Sequence, residues 1–127
     1  MIVVVDASAI IDALMGVEGI LRRLRTFELH APVSVDAEFL HGMRRKWLAR
    51  YLDAAEAVAV IGAFQSLPIS RRPVAHLVDR MWALRNNITA YDAGYVALAE
   101  SLGVPLVTRD RRLFNSSGHA ARIEYID

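Results

Sequence analysis

The run Ile2–Val5 is β-branched at every position and ends at a carboxylate, Asp6. A short strand with no polar alternation has no face to offer to water. Such strands belong in parallel sheets covered by helices on both sides. A second apolar run, Val104–Val107, leads through Thr108 and Arg109 to Asp110. In a parallel sheet the two acids then share the carboxyl edge, where ligands bind in open α/β folds.

The segments between these runs alternate in kind. Asp6 and Ser8 are both placed to cap a helix ending near Leu14, Asp6 for Ala7–Leu14 and Ser8 for Ala9–Leu14. Residues 20–26 read as a short helix with a basic face, and Leu29–Ala31 as a strand stopped by Pro32. Ser34 is positioned to cap a long helix from Val35 to about Arg50, and helical spacing continues over Leu52–Phe64 until Pro68 stops it. Leu67–Ser70 reads as a third strand. Pro73 suits the first turn of a helix carrying Leu77, Met81 and Leu84 on one side. Thr89 is an N-cap candidate for Ala90–Leu102, with Gly103 as its terminator. A helical turn over Arg111–Phe114 and a strand over Arg122–Ile126 complete the series. The order predicts an α/β fold: three α/β/α layers around a mainly parallel central sheet of four to five strands.

The 127 residues carry no Pro/Gly/Ser-rich linker, so a single domain over 1–127 is expected. There is no Cys, which excludes a disulfide framework and thiolate metal sites. No apolar stretch approaches the roughly 20 residues needed to span a membrane. The amino terminus lacks the basic segment of a signal peptide. A soluble cytoplasmic protein is the expectation. The basic residues are fourteen Arg and a single Lys, Lys46; Arg offers a planar fork suited to phosphate oxygens.

Two more acids occupy helix starts, Glu38 and Asp92. Individually each of the four acids reads as a cap or a helix-dipole partner. Together they are a stronger signal. Two carboxylates about 4 Å apart repel by about 4 kcal/mol at an effective dielectric of 20. Four in one pocket demand a cation or raised pKa values. All-oxygen donors without Cys favour Mg²⁺ or Mn²⁺. A water activated by such a cation can attack phosphorus.

The chain resembles the PIN-domain ribonucleases, specifically the VapC toxins of bacterial type II toxin–antitoxin systems. The motifs that carry the likeness are VVVDASAIIDAL at residues 3–14, VDAEFLHGMRR at 35–45, TAYDAGYVALAESLGVPLVTRD at 89–110, and the following RRLF. The resemblance implies an acidic catalytic quartet, Asp6, Glu38, Asp92 and Asp110. Asp6, Asp92 and Asp110 would hold Mg²⁺ or Mn²⁺, and Glu38 would hold a second metal or orient the attacking water. Asp36 is an alternative to Glu38. Ser8 and Thr108 would orient the carboxylates. Asn115 stands where some relatives carry a further acid. The family further implies endonucleolytic hydrolysis of RNA, homodimerisation and inhibition by a VapB-type antitoxin.

Arg44, Arg45, Arg109 and Arg112 are candidate RNA contacts, with Lys46 and Arg111 beside them; Arg71 and Arg72 read as loop bases. The His residues (30, 41, 76, 119) have no metal-type spacing, though His41, one turn after Glu38, can approach the site. Trp47 and Trp82 fit core or interface packing better than base stacking. Phe39, Leu40, Met43, Ile61 and Phe64 suit the core, with an apolar groove as the alternative. A phosphatase of the haloacid-dehalogenase type needs an Asp where Ser8 stands, and it and a receiver domain both need a late Lys. A non-catalytic PIN-like domain binding RNA or protein is the remaining alternative.

Overall fold

The computed structural model describes residues 1–127. Its centre is a five-stranded sheet of β1 (Ile2–Val5), β2 (Glu28–Pro32), β3 (Ile69–Arg72), β4 (Leu106–Thr108) and β5 (Ile123–Tyr125). The order is β3-β2-β1-β4-β5 and every pairing is parallel. Val3, Val4 and Val5 are wholly buried, as an unalternating apolar strand requires.

Strands β1 to β3 step toward one edge of the sheet, and the chain then crosses back to β4 and β5. Right-handed crossovers therefore place α1 (Ala7–Leu14), α2 (Ile20–Leu24), α3 (Val35–Leu48) and α4 (Ala54–Ser66) on one face. They place α5 (Val78–Ala83), α6 (Ala90–Leu102) and α7 (Arg111–Phe114) on the other. Packing agrees: α1 lies against α2, α3 and α4, while α5 lies against α6, which crosses β1 and β2. The strand order reverses between β1 and β4, where Asp6 N–H donates to the Val107 carbonyl at 3.2 Å. That reversal opens the crevice expected of such sheets at their carboxyl ends.

Helix α6 is buried on all sides from Ala93 to Ala99, so it runs through the core rather than over it. Thr89 caps it by accepting from Asp92 N–H at 3.2 Å, and Gly103 ends it with φ 66°, a left-handed turn that costs Gly nothing. Phe39 and Phe64 stack at 3.9 Å between α3 and α4. They and Met43 are core residues, whereas Leu40 is half exposed.

Several boundaries differ from the sequence expectation. Helix α3 stops at Leu48, and α4 starts afresh at Ala54 behind an Asp53–Glu56 capping box. The third strand lies over Ile69–Arg72, because β2 pairs with it from Leu29 with Ile69 out to Pro32 with Arg72. Arg71 and Arg72 are thus edge-strand residues, not loop bases. Arg71 also grips Asp36, donating from Nη2 at 2.7 Å and from Nε at 3.0 Å. After Pro73 the chain makes a short 3-10 turn, Ala75–Leu77, before α5. Trp47 and Trp82 are not core residues, being 51% and 67% exposed. The Arg85 guanidinium covers the Trp82 ring at 4.6 Å. No helix is long and apolar enough to cross a membrane.

Candidate active site

Four segments deliver acids to one cavity of about 650 Å³ at the carboxyl edge of the sheet. Asp6 comes from the end of β1, Glu38 from the first turn of α3, Asp92 from the first turn of α6 and Asp110 from the end of β4. All four line the cavity, together with Ser8, Ser34, His41, Arg45, Thr89, Tyr95 and Arg112.

Asp6 is the deepest of them, only 5% exposed. Its Oδ1 accepts from Ser8 Oγ at 2.7 Å and from Ala9 N–H at 3.0 Å, which caps α1. Its Oδ2 accepts from Thr108 Oγ1 at 2.5 Å. Ser8 is therefore not the α1 cap. Its hydroxyl goes to the carboxylate that is, and it accepts from Arg109 N–H at 3.0 Å, tying β4 to α1. Ser34 departs from expectation in the same way. It precedes α3 but makes no cap bond, and donates instead to Glu38 Oε2 at 2.7 Å. In both cases a nearby carboxylate is the stronger acceptor for the hydroxyl.

Tyr95, which the sequence reading passes over, donates to the same Glu38 oxygen at 3.0 Å. The signal was its spacing: three residues after Asp92 puts it on the same face of α6. Both donors go to Oε2, and Glu38 Oε1 accepts no hydrogen bond from the chain. Replacing Tyr95 by Phe keeps the packing and frees the carboxylate. The expected result is a fall of about tenfold in kcat with little change in KM, read by steady-state cleavage kinetics. Asp110 caps α7, accepting from Arg112 N–H at 2.9 Å. Asp110→Ala should therefore lower stability by about 1 kcal/mol and Asp110→Asn should not, as read from denaturation midpoints.

Burial pushes the Asp6 carboxyl up to about 6, against its hydrogen bonds to Thr108, Ser8 and Ala9, with the Asp92 charge adding to the rise. Burial also raises Glu38, and the Asp92 charge again contributes. Asp92 is raised by burial and by the Asp110 charge, while Thr89 and the Arg112 cation pull it down. Asp92 is thus the acid whose charge raises both Asp6 and Glu38. The four groups sense one another, but no three side chains already enclose an ion as they stand. A cation held here would be reached partly through water, which suits Mg²⁺. The donor set fits: oxygen only, mutually repelling, half-buried, with free oxygens on Glu38, Asp92 and Asp110.

Of the expected RNA contacts, Arg45 and Arg112 line the cavity and Arg44 does not. Arg109 is turned away from it and engaged, donating to Asp12 Oδ2 at 2.9 Å and to the Ile126 carbonyl at 3.0 Å. Asp36, the alternative to Glu38, is held by Arg71 outside the cavity. His41 lines it. His30 is buried on β2 against Glu28, and His119 bonds Ser116.

The PIN domain family model matches residues 3–117. The chain belongs to the PIN domain family. Among curated proteins, Ribonuclease VapC12 of Mycobacterium tuberculosis is 39% identical over 127 residues, covering 98% of each chain. The VapC ribonuclease Mb0985 of Mycobacterium bovis is 45% identical over 112 residues, covering 87% of each. Among solved structures, PAE2754 from Pyrobaculum aerophilum aligns with a TM-score of 0.63 at 28% identity, covering 90% of this chain and 84% of that one. VapBC2 from Rickettsia felis, solved bound to a promoter DNA fragment, aligns with a TM-score of 0.72 over the full length of both chains. At 16% identity that last likeness speaks for the PIN fold alone.

Proposed function

We propose that this PIN domain is a Mg²⁺- or Mn²⁺-dependent endoribonuclease, the toxin of a VapBC-type pair. The observation that carries the reading is the convergence of Asp6, Glu38, Asp92 and Asp110 on one cavity. The ribonuclease names of relatives that match along nearly the whole chain support it. A non-catalytic PIN-like domain would have no need of four mutually repelling acids in one half-buried cavity.

Asp6, Asp92 and Asp110 would hold the cation, directly or through water. When bound, the cation neutralises the acids, lowers the pKa of a water and stabilises charge on the leaving oxygen. The protein's own part is positioning. Ser8 and Thr108 fix both oxygens of Asp6, so the deepest ligand cannot rotate. Ser34 and Tyr95 fix Glu38 Oε2 and leave Oε1 to accept a proton from the attacking water. Arg45 and Arg112, on the cavity wall, can meet phosphate oxygens.

The toxin role brings two further expectations, a VapB-type antitoxin and a homodimer. Exposed apolar side chains support association: Leu40, Leu48 and Val58 on the α3–α4 side, and Val78 and Trp82 on α5. Expression without the partner should arrest growth, and Asp92→Asn should relieve the arrest. Normal growth with intact soluble protein would remove the toxin role and leave the nuclease reading standing. Purified protein incubated with RNA, with and without Mn²⁺, tests the nuclease reading itself.

A further inference from the structure

Helix α3 presents a single stripe to the solvent-filled edge of the domain. Glu38, His41, Gly42, Arg45, Lys46 and Ala49 recur at helical spacing along it. The first four line the acidic cavity. The last four line a second cavity of about 670 Å³ between α3 and α1, closed at its far end by Tyr51. The two cavities share Ser8, Ile11, Gly42 and Arg45, so they are parts of one continuous groove. Gly42 lets α3 approach α1 closely where the two cavities meet. A Cβ there would run into Ile11 Cδ1 on α1.

The charge changes along the groove. The acids lie at one end, while Arg45 and Lys46 on the far part of the stripe form no ion pair. Asp12, the acid in that part, is already paired with Arg109 at 2.9 Å. The groove therefore ends in two unpaired cations beside an aromatic ring that is 75% exposed, Tyr51. That ring is held in place by the backbone. Arg50 takes a left-handed φ of 62° although it is not Gly. Tyr51 N–H bonds the Lys46 carbonyl at 2.9 Å, and Arg50 N–H bonds that of Trp47 at 3.0 Å. This closing turn of α3 folds Tyr51 back until Lys46 Nζ sits 5.8 Å from the ring centre.

We infer that single-stranded RNA leaves the acidic cavity along this α1–α3 groove, its phosphates met by Arg45 and Lys46 and a base stacked on Tyr51. The inference rests on the ribonuclease reading above and names the strand's path. From Glu38 to Lys46 the helix advances about 12 Å, room for a few nucleotides beyond the scissile bond. Phosphate contacts along that stretch give affinity without sequence readout, and stacking adds sequence-tolerant grip.

The test uses the full chain carrying Asp92→Asn, which removes cleavage, and a fluorescein-labelled single-stranded oligoribonucleotide followed by anisotropy over about 50 to 200 mM salt. Adding Lys46→Ala should reduce the slope of log K against log salt by about 0.7. Adding Tyr51→Ala should weaken binding about tenfold, and Tyr51→Phe should restore it. Arg22→Ala, on the exposed face of α2, should change neither. Both groove substitutions are at the surface, and circular dichroism verifies that the variants fold. Affinities and slopes equal to those of the parent would overturn the inference. So would unaltered RNA binding together with lost binding of the antitoxin, which would make the groove a protein interface. If RNA binding depends on Lys46 and Tyr51 but the wild-type chain with Mn²⁺ cleaves nothing, the groove stands and the nuclease reading falls.

Discussion

Asp92→Asn should reduce RNA cleavage by about three orders of magnitude, roughly 4 kcal/mol of transition-state stabilisation. Asp92 is the centre of the acidic cluster, since its charge is felt at Asp6 and Glu38 and it feels that of Asp110. The substitution keeps the size and the helix start of α6, because the Thr89 cap bonds the backbone N–H of residue 92 and not its carboxylate. The loss should therefore appear in kcat without unfolding. Asp6→Asn should be as damaging, and it also disturbs the oxygens that Ser8, Ala9 and Thr108 hold. Single-turnover cleavage with saturating Mn²⁺ measures the effect. Wild-type rates in both variants would mean that the cleavage belongs to a contaminant.

The second large effect concerns stability without metal. A free aspartate side chain ionises at 3.8, whereas Asp6 in the folded protein ionises at about 6. Between those values the folded protein binds more protons than the unfolded chain, so stability falls as pH rises. The contribution is complete below pH 3.8 and lost as pH passes about 6. A shift of this size corresponds to roughly 3 kcal/mol. Glu38 and Asp92 are raised as well and act in the same direction. Denaturation in a chelating buffer across this range should show the decline, and Asp6→Asn should flatten it. Mn²⁺ at a hundred times its Kd should restore about 2.7 kcal/mol at neutral pH. A metal-free protein whose stability rises steadily over the same range would contradict the buried, repelling acids.

The parts of the fold that were legible in the sequence are those with strong local signals. The run Ile2–Val5 is β1 as read, and Val104–Val107 marks the place of β4, which is shifted to Leu106–Thr108 because its pairing with β1 begins at Leu106; Thr89 and Gly103 bracket α6 as caps should. The acids followed from their places relative to those elements. The break between α3 and α4 was legible too, in the spacing of Asp53 and Glu56, but was hidden by the run of helix-forming residues around it. Strand β3 carries Ser70, Arg71 and Arg72, all exposed. An edge strand of that composition has no apolar pattern, and only pairing with β2 places it. Ser8 and Ser34 look like caps because local chemistry usually wins. Here tertiary structure puts a carboxylate within reach of each. Arg109 could not be assigned from its neighbours, since its partners Asp12 and Ile126 are distant in sequence. Tyr95 shares the face of α6 that carries Asp92, which was legible, but its bond to Glu38 joins two helices and was not.

The central claim is that three of these acids hold one divalent cation at the switch point between β1 and β4. Diffraction from crystals soaked in Mn²⁺, recorded to reveal anomalous scattering, tests it most directly. The expected result is a single strong peak bounded by Asp6, Asp92 and Asp110, absent from crystals of Asp92→Asn. A peak elsewhere, or one undiminished in that variant, would contradict the account.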